Sequence, residues 1–360
     1  MNDQPLKIAV LSPVWFPVPP SGYGGIEWIV SLLAEGLVKA GHDVTLFASG
    51  DSRTKAKLSY VYEEAPSQWI GRSHWELNHA LHCYANAGEF DVINDHTGPS
   101  GIALSGLVDT PVVHTVHGPM DGEPGRIYER LAHLVPSLHL VSISLNQRRP
   151  QTDLPWLANC PNALDLSIYP CKPHTGEYLL FLGRMSPDKG CHRAIAVAMD
   201  RELPLKIAGK MQEPKERAYF EEFVEPHLGI HGIEYLGEVS HGMKVELLQD
   251  ARATLFPIDW EEPFGLVMIE SMACGTPVIA TNHGAVPEVI EDGRSGIIVE
   301  HYREMGDALE RADALDPLEC RRYVEESFSQ ERMVEDYVQA YREAMVGAEA
   351  PVSASASLSQ

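Results

Sequence analysis

Short apolar runs alternate with helix-like segments along almost the whole chain. Between the first two runs, apolar residues spaced three and four apart predict a helix over residues 26–40, and Gly41 ends it. Runs of five or six residues rich in valine, isoleucine and leucine, separated by helices, are typical of parallel strands covered on both faces. The predicted strands are residues 7–12, 43–48, 91–95, 111–116, 139–144, 178–183, 204–209, 232–237, 253–258, 277–281 and 296–300.

The alternation breaks and restarts near the middle of the 360-residue chain. Prolines and a glycine interrupt any periodicity over residues 165–177, and a chain of this length exceeds one ordinary core. We therefore predict an α/β protein of two doubly wound parallel-sheet domains, over residues 1–168 and 169–329, that face each other across a cleft. Ligands of such sheets bind at the carboxyl ends of the strands, which here lie in the cleft.

Beyond the second predicted domain the composition changes. Residues 330–346 have the pattern of an acidic helix, which we expect to pack back on the N-terminal domain. Residues 347–360 are small and polar, and we predict that they are disordered.

Composition and charge exclude several classes of function. A net charge of −23, from 28 basic and 51 acidic residues, leaves no broad basic face for a nucleic acid and disfavours stable docking on an anionic membrane. No stretch approaches the roughly 18 apolar residues of a membrane span, so we predict a cytoplasmic protein and leave peripheral membrane contact open. The six cysteines form no C-x-x-C pair and predict neither a zinc site nor a disulfide framework.

The most informative segment is residues 253–281. A strand leads into a loop that holds Glu262, Gly265 opens a short helix, and Glu270 follows on that helix. Helical side chains tilt toward the helix start, where free N–H groups and the positive dipole end suit an anionic or hydroxyl-rich ligand. Two carboxylates at this place can accept hydrogen bonds from vicinal sugar hydroxyls, although an arbitrary pair of glutamates is more often a pair of solvated surface acids.

The letters E-P-F-G-L-V-M-I-E, followed by S-M-A-C-G-T-P-V-I-A, resemble the signature of the retaining family 4 glycosyltransferases, the glycosyl transferases group 1. The resemblance extends in order through both halves to about residue 345. It implies the GT-B fold, in which two Rossmann-like domains bind the acceptor on the N-terminal side and the nucleotide sugar on the C-terminal side. It also implies that Glu262 contacts the hydroxyls of the donor sugar, that Glu270 holds the donor ribose, and that Gly265 and Leu266 bind the donor at the helix start.

A second cluster follows the strand at residues 178–183. Arg184 comes directly after this strand and Lys189 begins the next helix, so the two cations can clamp a diphosphate from two directions. The cluster resembles the G-R-x-x-x-x-K-G site of the family, in which the matching residues stabilise charge on the leaving group. Base selection in the family rests on backbone contacts, which we place near Val239.

Two glycines, Gly24 and Gly25, directly precede the first helix, where the backbone can approach a ligand closely. The letters G-Y-G-G-I-E do not give the G-x-G-x-x-G fingerprint of a dinucleotide site. The resemblance implies instead that these glycines approach the donor phosphates or the acceptor. Nearby aromatic residues either line an acceptor site or belong to plain packing, namely Trp15, Phe16, Tyr23 and Trp28.

Two histidine segments complete the candidate site. His117 lies just past a strand end, and the family's strand-end His-Gly implies a donor-sugar contact there, with His96 a weaker candidate of the same kind. The turn at His283 and Gly284 offers backbone N–H groups as a phosphate cradle, at a place where relatives often have Gly-Gly. Glu288 also matches a family glutamate, and we interpret it as structural first.

The reaction implied by the resemblance is the transfer of a hexose from a nucleoside-diphosphate sugar, UDP or GDP, with retention of the anomeric configuration. The acceptor is a carbohydrate, a lipid or a small molecule. Arg184, Lys189, His117 and Glu262 are the expected catalytic residues, and no metal or other cofactor is expected. A nucleotide-sugar epimerase and a non-catalytic nucleotide-sugar-binding protein stay open, because one fold hosts several activities.

Overall fold

The computed structural model describes residues 4–22, 24–172 and 176–349, with side chains up to Val346. Tyr23, a part of the predicted break between the domains and most of the predicted tail lie outside the described residues. The elements of the first half are β1 (Lys7–Leu11), α1 (Gly25–Lys39), β2 (Asp43–Phe47), β3 (Lys57–Ser59), α2 (Ser73–Tyr84), β4 (Val92–Asp95), α3 (Pro99–Ser105), β5 (Val112–Thr115), α4 (Gly122–Leu134), β6 (His139–Ser142) and β7 (Trp156–Asn159).

The second half continues the same alternation and ends in three helices. Its elements are β8 (Tyr178–Leu182), α5 (Cys191–Arg201), β9 (Leu205–Ala208), α6 (Pro214–Phe223), β10 (Ile233–Tyr235), α7 (His241–Gln249), β11 (Ala251–Phe256), α8 (Leu266–Ala273), β12 (Val278–Thr281), α9 (Val286–Val289), β13 (Gly296–Val299), α10 (Met305–Asp313), α11 (Pro317–Ser327) and α12 (Gln330–Glu349).

The strands form two parallel sheets, one in each half of the chain. The first sheet has seven strands in the order β3-β2-β1-β4-β5-β6-β7, and the second has six in the order β10-β9-β8-β11-β12-β13. In each sheet the strand order reverses direction next to the first strand, between β1 and β4 and between β8 and β11. Such a reversal leaves a crevice at the carboxyl ends of the two strands, where open α/β sheets bind their ligands.

All the predicted strands are present, and the fold class is confirmed, but the sequence patterns missed β3 and β7. Both are edge strands of the first sheet. The β3 strand has only three residues, and those of β7 are all half-buried. One edge of such a strand is open to solvent, so the strand does not need the continuous apolar run that identifies a central parallel strand.

The C-terminal helix α12 returns to the first sheet and completes its core. Met333, Tyr337 and Tyr341 are fully buried among residues of α1 and of the strands. Gly36 of α1 lets the two helices come close, because a Cβ there would lie 2.5 Å from a methyl carbon of Val334. The first and last described elements, β1 and α12, thus belong to the same half, and α12 follows directly on the helices of the second half.

Candidate functional site

A cleft of about 380 Å³ lies between the two halves at the strand-order reversals. The loop after β1 and the start of α1 form its N-terminal wall. The loops after β8 and β9 and the starts of α7 and α8 form its C-terminal wall. Six of the twelve predicted catalytic and donor-binding residues line this cleft: Gly24, Gly25, Arg184, Val239, Leu266 and Glu270.

Glu270 is a buried acid in the wall of the cleft, with a side chain that is 8% exposed. Its Oε1 accepts hydrogen bonds from the Tyr169 hydroxyl at 2.7 Å and from Lys244 Nζ at 2.5 Å. Burial and the adjacent Glu270 raise the pKa of Tyr169 far above its ordinary value. The phenol therefore stays protonated and acts as the hydrogen-bond donor to Glu270. The carboxylate therefore sits in the cleft as a fixed acceptor with one oxygen still available.

Lys189 and Glu262 form an ion pair directly beside the cleft. The side chains are 17% and 11% exposed, and Lys189 Nζ also lies 4.8 Å from the centre of the Trp260 ring. Arg184 has a looser acidic neighbour, because its guanidinium lies 3.7 Å from a carboxylate oxygen of Asp188. Both cations therefore already have acidic partners, which an anionic ligand at this place would have to share or replace.

Two glycines shape the loop that carries Glu262. Gly265 has a φ of +85° where it caps the start of α8, a conformation that other residues rarely adopt. A Cβ on Gly284 would lie 2.3 Å from the backbone nitrogen of Glu262, and the Ala285 N–H donates to the Glu262 carbonyl at 2.9 Å. The turn at Gly284 thus packs against the Glu262 loop and holds it in place, outside the lining of the cleft.

His283 faces the acids of that loop instead of the cleft. Its ring nitrogens lie 3.9 Å from Asp259 Oδ1 and 4.0 Å from Glu261 Oε1, and the side chain is 36% exposed. Lys189, Glu262, Gly265, His283 and Gly284 therefore form one group that adjoins the cleft but does not line it.

The glycine loop after β1 meets the second half of the molecule across the cleft. Gly24 has a φ of +143° as it enters α1, and a Cβ there would lie 2.9 Å from atoms of Pro20 and Glu27. A Cβ on Gly25 would lie 3.4 Å from Leu266 Cδ1 on the opposite wall. Of the two predicted donor-binding glycines, Gly25 therefore faces the start of α8 at close range, whereas Gly24 packs against its own loop and helix.

The predicted aromatic residues do not act as one group. Trp28 lines the cleft, where its ring lies 5.7 Å from that of His241 between centroids. Trp15 is half-buried, and its carbonyl accepts a hydrogen bond from Ser67 at 2.6 Å, away from the cleft lining. Tyr23 lies outside the described residues.

His117 follows β5 and is half-buried on the N-terminal side, outside the lining of the cleft. Its Nε2 lies 2.9 Å from Nδ1 of His96, the other histidine singled out from the sequence. The structure thus joins the two predicted histidines in one contact that their separation of 21 residues does not reveal.

Among the cleft residues that sequence reasoning missed are three with polar side chains around Glu270 and the loop after β9: Tyr169, Lys210 and Lys244. Lys244 lies in the first turn of α7, which Ser240 caps by accepting a hydrogen bond from the Met243 N–H. A serine before a helical pattern is a recognisable signal of a helix start, but only the fold shows that this helix brings Lys244 to Glu270.

The two halves are also held together away from the main cleft. Both carboxylate oxygens of Glu288 accept backbone N–H bonds from the first half, from Leu145 at 2.7 Å and from Asn146 at 2.6 Å. The Asn146 side-chain amide donates to Glu261 at 2.7 Å. Glu288 therefore has the structural contact that its sequence position indicated, and this contact bridges the two domains.

Within residues 4–22, 24–172 and 176–346, no three histidine, cysteine or acidic side chains are grouped as a metal site would require. Among the helices of the described part, none combines the length and the apolar character needed to span a membrane.

Comparison with known proteins places the chain in a family. The family described as glycosyltransferase family 4 matches residues 23–159, and the family described as glycosyl transferases group 1 matches residues 170–326. Glycogen synthase of Mycobacterium tuberculosis is 28% identical over 332 residues, which cover 78% of this chain and 79% of that protein.

Solved structures show the same architecture. The glycosyltransferase AviGT4, involved in avilamycin A biosynthesis, has a TM-score of 0.71 at 26% identity, and the match covers 95% of this chain and 99% of that one. HepE from Anabaena, solved with UDP and glucose, has a TM-score of 0.72 at 16% identity, with 94% and 100% covered. With both halves matched in order and the two facing parallel sheets in place, the chain belongs to the family 4, group 1 glycosyltransferases and has the GT-B fold.

Proposed function

We propose that this glycosyltransferase moves a hexose from a nucleoside-diphosphate sugar to an acceptor hydroxyl, with retention of configuration and without a metal ion. The observation that carries the proposal is the composition of the cleft. Three cations, Arg184, Lys210 and Lys244, and the fixed acceptor Glu270 all lie on its C-terminal wall. Cations bind a diphosphate, and a buried carboxylate accepts hydrogen bonds from a ribose diol.

The proposed reaction breaks the bond between the sugar C1 and the β-phosphate oxygen. Arg184 and Lys189 would stabilise the negative charge that develops on the departing diphosphate, as preorganised electrostatic groups. The acceptor oxygen forms its bond to C1 on the same face, and its proton passes to the departing phosphate oxygen. Glu262 and Glu270 both hold lysine partners, which supports a mechanism without a protein nucleophile.

The donor base is proposed to be uracil or guanine. HepE, which shares the fold at 16% identity, is a protein solved with UDP and glucose. In this chain the loop after β10, around Val239, lines the cleft and is the proposed place for the base.

A thermal-shift panel of UDP, GDP, ADP and their sugars tests the proposal, since a ligand that binds the native state raises its melting temperature. We expect one base to raise the melting temperature, and an acceptor mixture to release the free diphosphate from the matching sugar nucleotide. An absence of any shift across the panel would contradict donor binding. A new sugar nucleotide without free diphosphate would indicate an epimerase, and binding without turnover a non-catalytic binding protein.

A further inference from the structure

A chain of buried hydrogen bonds leads from the C-terminal helix to His117. The Tyr341 hydroxyl on α12 donates to Asn94 Oδ1 at 2.7 Å, and His96 Nε2 lies 2.8 Å from the same oxygen. His96 Nδ1 then lies 2.9 Å from His117 Nε2. Tyr341, Asn94 and His96 are at most 1% exposed, so solvent does not compete for these bonds.

The orientation of the Asn94 amide is fixed by its other contacts. Its Nδ2 donates to the Val113 carbonyl at 3.0 Å and to Thr115 Oγ1 at 3.2 Å. A carbonyl can only accept, so the nitrogen of the amide must face Val113 and the oxygen must face His96. Asn94 Oδ1 therefore accepts one hydrogen bond from the Tyr341 hydroxyl and one from His96 Nε2.

The position of one proton then determines the next. Because Asn94 Oδ1 only accepts, His96 carries its proton on Nε2, and a neutral ring leaves Nδ1 as an acceptor. His117 Nε2 must then donate to His96 Nδ1. A neutral His117 that donates through Nε2 has no proton on its remaining nitrogen, Nδ1.

Burial supports the neutral state of both rings. It lowers the pKa of His96 well below its ordinary value, and the nearby His117 and His114 act in the same direction. Burial and His114 also lower the pKa of His117. A second proton on His96 would place a positive charge in a buried site, which the low-dielectric surroundings oppose.

We propose that Tyr341, Asn94 and His96 are positioning residues that fix the Nε2–H tautomer of His117, so that His117 offers an unprotonated Nδ1 to the ligand. Within the described residues no protein group hydrogen-bonds this nitrogen, and the side chain is half-buried after β5. The inference rests on the proposed function for the identity of the ligand, and on the hydrogen bonds alone for the tautomer.

The fixed tautomer has a consequence for recognition. A bare Nδ1 accepts a hydrogen bond, so it selects a hydroxyl or another donor and disfavours a carboxylate or a phosphate at the same place. The donor-sugar contact that the family resemblance implies for His117 would thus be made to a sugar hydroxyl and not to the diphosphate, which the cations of the C-terminal wall would hold.

Nuclear magnetic resonance of the full chain, labelled with ¹⁵N histidine, measures the tautomer directly. The His117 signals are identified by their loss in His117→Gln. At pH 7 we expect both His96 and His117 to carry the proton on Nε2 and none on Nδ1. A His117 with its proton on Nδ1, or a doubly protonated His96, would overturn the proposal whatever the protein binds.

Two tyrosines on α12 give a matched pair of variants. Tyr341→Phe removes one of the two donors to Asn94 Oδ1, and we expect it to shift the His96 Nε2 signal. Tyr337→Phe removes a hydroxyl one turn away that reaches the Asn94 amide only indirectly, through Thr115 Oγ1 at 3.1 Å, so we expect a smaller shift of the His96 signal there. Equal shifts in the two variants would exclude Tyr341 from the relay.

Binding measurements test the contact with the sugar separately. The readout is the ratio of the dissociation constants of UDP and UDP-glucose, or of GDP and GDP-mannose if the panel selects guanosine. We expect His117→Phe to reduce the preference for the sugar nucleotide by about tenfold, the value of one lost hydrogen bond. An unchanged ratio would exclude the sugar contact. A protein that binds none of these nucleotides would contradict the proposed function and leave the measured tautomer standing.

Discussion

The two walls of the cleft differ in the charged side chains that line them. The C-terminal wall carries Arg184, Lys210 and Lys244 together with Glu270, so charges face one another there. The N-terminal wall contributes no lysine or arginine to the described lining. Behind it the structure uses neutral hydrogen bonds, from Tyr341 through Asn94 and His96 to His117.

This difference has a physical basis in the ligands that each wall would meet. A diphosphate brings full negative charge, and cations stabilise it most where water is partly excluded. Sugar hydroxyls bring no charge, so they need hydrogen-bond acceptors and donors but no cation. On the C-terminal wall, Arg184 and Lys244 have acidic partners, whereas the first half contributes the acids Glu35 and Asp165 to the described lining without a lysine or arginine of its own there.

The largest expected effect would come from the charged side. Lys189→Ala and Arg184→Ala should each lower kcat at least tenfold, because removing one donor that stabilises developing charge typically costs about 2.7–4 kcal/mol of barrier. Turnover of the sugar nucleotide selected by the panel is the measurement. Arg217→Ala, an exposed cation of α6, is the control and should keep full activity. Wild-type turnover in both the Arg184 and the Lys189 variants would contradict the proposed role of these cations.

Glu270 tests whether the charged wall grips the ribose. Glu270→Ala should raise the dissociation constant of the nucleoside diphosphate by about 10- to 100-fold, since hydrogen bonds to a charged group contribute about 1.5–3 kcal/mol. Calorimetric titration measures it, and Glu246→Ala on the exposed side of α7 should leave the constant unchanged. An unchanged constant in a folded Glu270→Ala protein would contradict the ribose role.

On the N-terminal side, the buried acid Glu27 provides a test by its titration. It lies in the first turn of α1 with 4% of its surface exposed, and burial raises its pKa to about 7. The native state then binds this proton more tightly than the unfolded state does. Stability is therefore greatest below the ordinary pKa of 4.5 and falls as the pH rises through 7.

Replacing this acid by an amide removes the pH-dependent term. Glu27→Gln should raise the free energy of unfolding at pH 8 by on the order of 2 kcal/mol and change it little at pH 4. Denaturant unfolding at the two pH values measures both numbers, and Glu35→Gln, on the same helix, is the matched control. A gain of equal size at both values would show that Glu27 does not titrate in this range.

The smallest effect concerns the contact that holds the walls together. Glu288→Ala removes two hydrogen bonds to the first half, at Leu145 and Asn146, and should cost about 1 kcal/mol of stability. It should also increase the radius of gyration measured by small-angle X-ray scattering. Glu291→Ala, which loses only a contact to Arg294 within the same domain, should not. Equal radii in the two variants would show that other contacts close the cleft.

The described structure also shows where sequence reasoning reached its limit on each wall. Arg184 and Lys189 lie five positions apart around one turn, and Glu262 and Glu270 lie on one loop and the helix that follows. Local spacing was enough to predict both groups. That Lys189 pairs with Glu262 and Lys244 with Glu270 required the order of β8, β9 and β11 in the sheet.

By itself the sequence determined the elements and the fold class, because a buried parallel strand needs a continuous apolar run and a helix needs its own period. It also predicted which loops lie at the cleft, because a loop that follows a strand must leave the sheet at its carboxyl end. Only the tertiary structure decided the edge strands and the partners of each charge. It alone brought Tyr341 to Asn94, 247 positions away. Hydrogen bonds between buried side chains depend on which elements pack against each other in the completed core. Local sequence spacing does not specify that packing.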